Sequence, residues 1–215
     1  MLTVDEAREL VCETGTRLVE LGLVSGTWGN VSLRIDAERM AITPSGREYG
    51  EMEPEDIVLV NLRSGTYEGP KPSNEKILHR EIYLARKEVN AVIHTHSVNA
   101  STVAAARREV PPILEDLAQI CGPSVRVADR ALPTTKKAAK AAIKALKGRS
   151  AALLANHGAV CVGRTMKEAL TCCQILEKGC KAFIEAEFLG GAKSINRFEA
   201  TLMRQYYLKK YSKQR

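Results

Sequence analysis

Aromatic side chains are scarce in this chain: one Trp, three Phe and six Tyr, 5% of 215 residues. With so few stacking surfaces, the chain's basic balance alone does not make a nucleic-acid binder, and no nucleic-acid partner is expected. No apolar run approaches the ~18 residues that a membrane-spanning helix needs, so no membrane partner is expected. A GxxxxGK[ST] loop is absent, which excludes a Walker-type nucleotide site. The N-terminal MLTVDEAREL carries acids early and lacks the basic-then-apolar order of a secretory signal, so a cytoplasmic location is expected. None of the six cysteines (Cys12, Cys121, Cys161, Cys172, Cys173 and Cys180) forms a CxxC pair. Buried free thiols are expected rather than a disulfide framework.

What is present is ordinary globular material, 45% hydrophobic and 27% charged, of a length that fits one domain over residues 1–215. The formal charge is +7. Lysines cluster at 136–147, where they alternate with alanines as on a solvated helix face, and again at Lys209, Lys210 and Lys213. A basic protein equally suits a small phosphorylated anion.

Thr3-Val4-Asp5-Glu6 has capping-box spacing and opens a helix that Gly22 would end. Strands are expected at 31–35, 40–43, 57–62, 91–95, 125–128, 151–155 and 159–162. Helices are expected at about 75–87, 98–107, 135–147, 165–189 and 194–211, with an irregular stretch after Pro111-Pro112. The early strands follow one another like hairpins, so the fold class is α/β with a mixed, substantially antiparallel sheet covered by helices.

Of four histidines, His94 and His96 lie one residue apart at a strand end, where positions i and i+2 face the same way. His157 follows another apolar strand, in Asn156-His157-Gly158. Three imidazoles converging there would make an open metal site; a chance HxH and a turn histidine are the alternative. His79, four residues after Glu75, is expected to be a helix histidine without a chemical role. Glu75, beside Ser73 and Asn74 at a helix start, is either an ordinary first-turn acid or a carboxylate held next to an anion site. The turn with Gly29 and Asn30, the turn with Ser45 and Gly46, and the Ser73-Asn74 pair are each explicable as tight turns. Together they supply the donors a phosphate pocket requires.

In order, GLVSGTWGNVS, ITPSG, KPSNE, AVIHTHS and LLANHGAVCVG resemble the class II aldolase/adducin family, most strongly its L-fuculose-1-phosphate aldolase branch, over about residues 4–190. That resemblance implies a three-layer α/β/α fold around a mixed, largely antiparallel sheet. It implies a Zn2+ site, or one for another divalent metal, at His94, His96 and His157, with Glu75 as both ligand and acid/base. Phosphate would be bound at Gly29, Asn30, Ser45, Gly46, Ser73 and Asn74. The implied activity is cleavage of a ketose 1-phosphate like L-fuculose 1-phosphate to dihydroxyacetone phosphate and an aldehyde, by a homotetramer. A tyrosine reaching toward the aldehyde has no counterpart in Ile113-Leu114-Glu115-Asp116, and Tyr206, Tyr207 and Tyr211 are candidates for a C-terminal one. Sugar-phosphate 4-epimerases of the family have Asp at the position of Glu75, which favours the aldolase. A decarboxylase or dehydratase of the same fold is a further alternative. A non-catalytic adducin-like interaction protein would not need all three histidines and Glu75.

Overall fold

The computed structural model describes residues 2–211. Thr3 Oγ1 accepts from Glu6 N at 3.2 Å and Glu6 Oε2 accepts from Thr3 N at 2.7 Å, so the capping box starts α1 (Val4–Glu20) as the sequence predicts. Gly22, at φ +65°, follows its end.

Eight strands form one sheet in the order β4-β3-β2-β1-β5-β8-β7-β6. They are β1 (Asn30–Arg34), β2 (Arg39–Ile42), β3 (Val58–Asn61), β4 (Tyr67–Glu68), β5 (Ala91–Thr95), β6 (Arg126–Ala128), β7 (Ala151–Leu154) and β8 (Gly158–Gly163). Among the described residues, β6 and β7 pair in parallel and the other neighbours are antiparallel.

Period-two alternation divides the core between the two faces. Val31, Leu33, Ile93 and Cys161 pack with α1, α3 (Val98–Ala105) and α5 (Met166–Phe188). Met40, Ile42, Val92 and Val160 pack with α2 (Lys76–Ala85) and α4 (Lys136–Ala145). Burying each such side chain is worth roughly 1.5–3 kcal/mol, so a one-residue slip of β1 or β5 would be strongly opposed. The same register places Ser32 and His94 on the α2 face, and this is how the fold positions the site.

The α4 lysines Lys136, Lys137, Lys140 and Lys144 are exposed while Ala139, Ala142 and Ala145 are buried, which is the solvated face expected. All six cysteines are buried and free. The stretch expected to be irregular contains a π-helical turn, Leu117–Cys121, against which α6 (Arg197–Tyr211) lies. Arg204 from α6 donates to the Gln119 and Ile120 carbonyls at 2.7 and 2.6 Å, satisfying acceptors that a helix end leaves open.

Element ends differ from expectation by one to three residues. Helix α6 starts at Arg197 rather than 194 because Asn196 Oδ1 takes the Phe198 N–H. Strand β4 is too short, at two residues, to show a period. Met1, Lys213 and the Tyr211 side chain lie outside the described residues and side chains.

Candidate functional site

Strands β5 and β8 lie side by side, with Thr95 opposite Ala159. His94 lies next to the end of the fully buried β5, and His96 follows two residues on. His157 sits in the turn from β7 to β8, which Asn156 closes at φ +57°. Gly158 is required next, because a Cβ there would collide with the Thr95 carbonyl. The result is three imidazoles around one point, with ring centroids 4.7 Å (His94–His96), 4.7 Å (His94–His157) and 4.9 Å (His96–His157) apart.

Glu75 comes to this point from the start of α2. It occupies the N-cap position but its carboxylate does not cap the helix. Instead Ser73 Oγ accepts the Glu75 N–H at 3.2 Å, and Glu75 Oε2 lies 3.0 Å from His94 Nε2 and Oε1 3.7 Å from His157 Nε2. Burial opposes the charge on Glu75, but the neighbouring His94, hydrogen bonds from His94 and Asn30, and His157 outweigh it and hold the carboxyl well below the usual range. Burial likewise opposes charge on His94, where Glu75 and the Ala159 carbonyl outweigh it and raise its pKa. His96 is pushed down to about 4 by burial and by the charges of His94 and His157. Burial and His94 also lower His157.

The donor set fits a divalent ion. One ligand atom from each of Glu75, His94, His96 and His157 lies within 4.8 Å of the others. His94 Nδ1–H donates to the Ala159 carbonyl at 2.8 Å, which fixes the ring and turns its Nε2 toward the cluster. Three imidazole nitrogens and a carboxylate are a donor set suited to zinc.

The turns at 27–30, 44–46 and 73–75 meet His96 and His157 on one cleft of about 440 Å³, so the three donor-rich turns singled out in the sequence share a single wall. Gly29, at φ +83°, packs so closely that a Cβ would stand 2.8 Å from the His94 carbonyl oxygen, which ties the first turn to the histidine cluster. Gly46 is also left-handed, at φ +73°. The Ser45 N–H is occupied by the Lys71 carbonyl at 2.9 Å, which leaves its hydroxyl for a ligand. Ser73 is buried and Asn74 exposed.

Asn30 is the exception within this wall. Its side chain is buried and turned away from the turns, with Nδ2 donating to Glu75 Oε2 at 3.0 Å and Oδ1 2.5 Å from His79 Nε2. The expectation for His79 also changes: it is fully buried and hydrogen-bonded on both ring nitrogens, and it meets Glu75 through Asn30 rather than along the helix. Trp28, 65% exposed and with its ring 5.4 Å from that of His96, and Thr134, at φ +67°, line the cleft as well. Neither carries a sequence signal of function. The polar Ser32 between Val31 and Leu33 is the one signal that could have drawn attention to the buried His79.

Residues 9–184 match the family described as class II aldolase and adducin N-terminal domain. The chain belongs to this family. A 5-deoxy-D-ribulose 1-phosphate aldolase from Bacillus thuringiensis serovar kurstaki is 36% identical over 194 residues, 89% of this chain and 91% of the relative. The L-fuculose phosphate aldolase of Escherichia coli K12 is 34% identical over 164 residues, 76% of this chain and 75% of the relative. A solved L-fuculose 1-phosphate aldolase superposes with a TM-score of 0.89 at 32% identity, covering 94% of this chain and 96% of that one. The mixed sheet with helices on both sides is thus the class II aldolase fold. Within the family the chain falls with members named aldolases, which are lyases, and it has a His/Glu cluster that could hold their metal.

Proposed function

We propose that the chain is a metal-dependent aldolase that cleaves a ketose 1-phosphate, of the L-fuculose 1-phosphate kind, to dihydroxyacetone phosphate and an aldehyde. The observation that carries this reading is the meeting, on one cleft, of a three-histidine-plus-carboxylate cluster with three donor-rich turns. Two relatives, 36% and 35% identical, are named for 5-deoxyribulose 1-phosphate, the second also for 5-methylthioribulose 1-phosphate, which supports including deoxyketose 1-phosphates in the class.

Glu75, His94, His96 and His157 would hold the ion, zinc by the character of the donors. When bound, such an ion supplies Lewis-acid stabilisation of the negative charge that develops on a carbonyl oxygen. The chain's own residues do the rest. The Ser45 and Ser73 hydroxyls, Asn74 and the N–H groups at Gly29 and Gly46 anchor the phosphate, so binding energy at that end orients the carbon chain. A base takes the proton from the C4 hydroxyl, the C3–C4 electron pair flows toward the C2 carbonyl, and the aldehyde leaves. Glu75, once it has taken up a proton, delivers it to C3 and so completes dihydroxyacetone phosphate. Asn30 acts here from behind Glu75. A homotetramer in the cytoplasm, with the 1–215 chain as one domain, is the proposed setting. Exposed Phe188, Leu189 and Phe198 near the C-terminus support self-association.

The test is metal analysis together with release of dihydroxyacetone phosphate from fuculose-, ribulose-, xylulose- and 5-deoxyribulose-1-phosphates, before and after chelation. Chelator-sensitive release is expected from at least one. Bound metal without release would point to an epimerase or decarboxylase, and no bound metal to an adducin-like role.

A further inference from the structure

A continuous line of hydrogen bonds runs from the core beneath α2 to the cleft. Tyr83 Oη lies 2.8 Å from Ser32 Oγ, Ser32 Oγ 2.6 Å from His79 Nδ1, His79 Nε2 2.5 Å from Asn30 Oδ1, and Asn30 Nδ2 3.0 Å from Glu75 Oε2. Tyr83, Ser32 and His79 are buried to within 1% of completely, and Asn30 is 3% exposed, so water cannot substitute for any partner in the line.

The direction of every bond follows from its end. An ionised Glu75 can only accept, so the Asn30 amide must present its NH2 to the carboxylate and its oxygen to His79. The His79 ring must then donate from Nε2. A neutral imidazole that donates from Nε2 accepts at Nδ1, so Ser32 donates there and in turn accepts from Tyr83. At the far end the Tyr83 hydroxyl also lies within reach of the Asn90 carbonyl, at 3.3 Å. His79 is neutral, because burial drives its pKa down to about 3. From Ser32 to Glu75 every donor in the line therefore points toward the cleft. An amide flip of Asn30 would set two acceptors face to face at Glu75 and two donors face to face at His79, which burial makes costly.

We propose that His79 is a positioning residue: by donating Nε2–H to Asn30 it locks the amide that holds the Glu75 carboxylate in place. This rests on Glu75 being the acid/base of the proposed aldolase.

Two measurements test it. In protein with isotope-labelled histidine near neutral pH, the His79 ring resonances should be those of the Nε2–H tautomer. The Nδ1–H tautomer or a charged ring would overturn the proposal. This readout uses the unaltered chain and needs no activity, so it stands apart from failure of the aldolase reading and from misfolding of any variant. In the enzyme assay, His79→Leu should lower kcat about 10- to 100-fold with KM within about threefold, as for other partners that orient a site carboxylate or ligand. His79→Gln, which restores an amide donor, should recover most of the loss. His79→Leu should add nothing in an Asn30→Leu background, because its effect passes through Asn30. Losses that multiply in the double variant, or a Gln variant as poor as the Leu variant, would show a merely structural role.

Discussion

The two walls of the cleft hold their polar groups by different means. Glu75 and His94 are oriented by side-chain and carbonyl partners that reach back into the core, through Asn30, His79 and Ser32 on one path and the Ala159 carbonyl on the other. The facing turns hold their donors by backbone conformation, with Gly29 and Gly46 left-handed and Ser73 N–H fixed to the Thr43 carbonyl at 3.0 Å. The difference corresponds to the tasks. Glu75 and His94, which on the proposed reading hold the ion, are bonded to partners that reach into the core, so a single lost partner would be felt at once. An anion already carrying full charge needs only several N–H and O–H donors at the right distance, and turns supply these at the surface.

Substitutions on the first wall should therefore abolish function, and those on the second should weaken binding. The largest effect is expected for His94→Ala: bound metal lost on metal analysis, with kcat/KM down by about 10³ or more, since a catalytic ion contributes several kcal/mol of charge stabilisation. Glu75→Gln should keep bound metal but lower kcat by roughly 10²–10⁴, the contribution typical of a positioned acid/base. Near wild-type turnover would remove Glu75 from its role. Ser45→Ala on the turn wall should raise KM about tenfold or somewhat more, with kcat within a few-fold, as expected for one hydrogen bond to a charged group. Loss of kcat rather than KM would break the contrast between the walls.

The smallest effect belongs to stability. The folded-state pKa of His79, about 3, lies below the unfolded value of roughly 6.5, so the unfolded chain takes up this proton first as pH falls. The contribution is complete above about pH 6.5 and is lost progressively toward pH 3. Between pH 7 and 6, urea unfolding of the wild-type chain should lose somewhat under about 1 kcal/mol that the His79→Gln variant does not lose. Equal pH slopes for the two proteins would show that the ring does not titrate on unfolding as a buried neutral group must.

The metal end of the site was legible because its residues obey local rules. His94 and His96 are two apart near a strand end, and His157 lies where an apolar run stops, so period and punctuation allowed them to meet, and the family resemblance then favoured that over a chance HxH. Sheet faces were legible for the same reason, through alternation such as Val31-Ser32-Leu33. The support behind Glu75 was not. Ser32 and His79 are 47 residues apart and Asn30 and His79 are 49 apart, and neither pair shares a period or motif. Spacing made His79 a helix histidine without a chemical role, whereas the ring is fully buried, and α2 begins at Lys76 and leaves Glu75 on the preceding turn, aimed elsewhere. Asn30 looked like a ligand of phosphate because its neighbours Gly29 and Thr27 form a turn; as the first residue of β1, its side chain follows the strand and points under the cleft. The π-helical turn escaped because its apolar residues fit neither standard period.

Asn30 stands directly across from His94 in the β1–β5 pairing, and His94 across from Val160 in the β5–β8 pairing. Both are long-range contacts of the slow-forming kind. A chain still emerging from synthesis, or one halted before these central strands close, keeps His94 and His96 together but has Glu75 and His157 on separate segments. Capture of the proposed ion would in this way be deferred until the central strands have paired. Metal supplied during refolding would hold the finished fold without hastening its early steps, and its uptake would time the closure of the central strands.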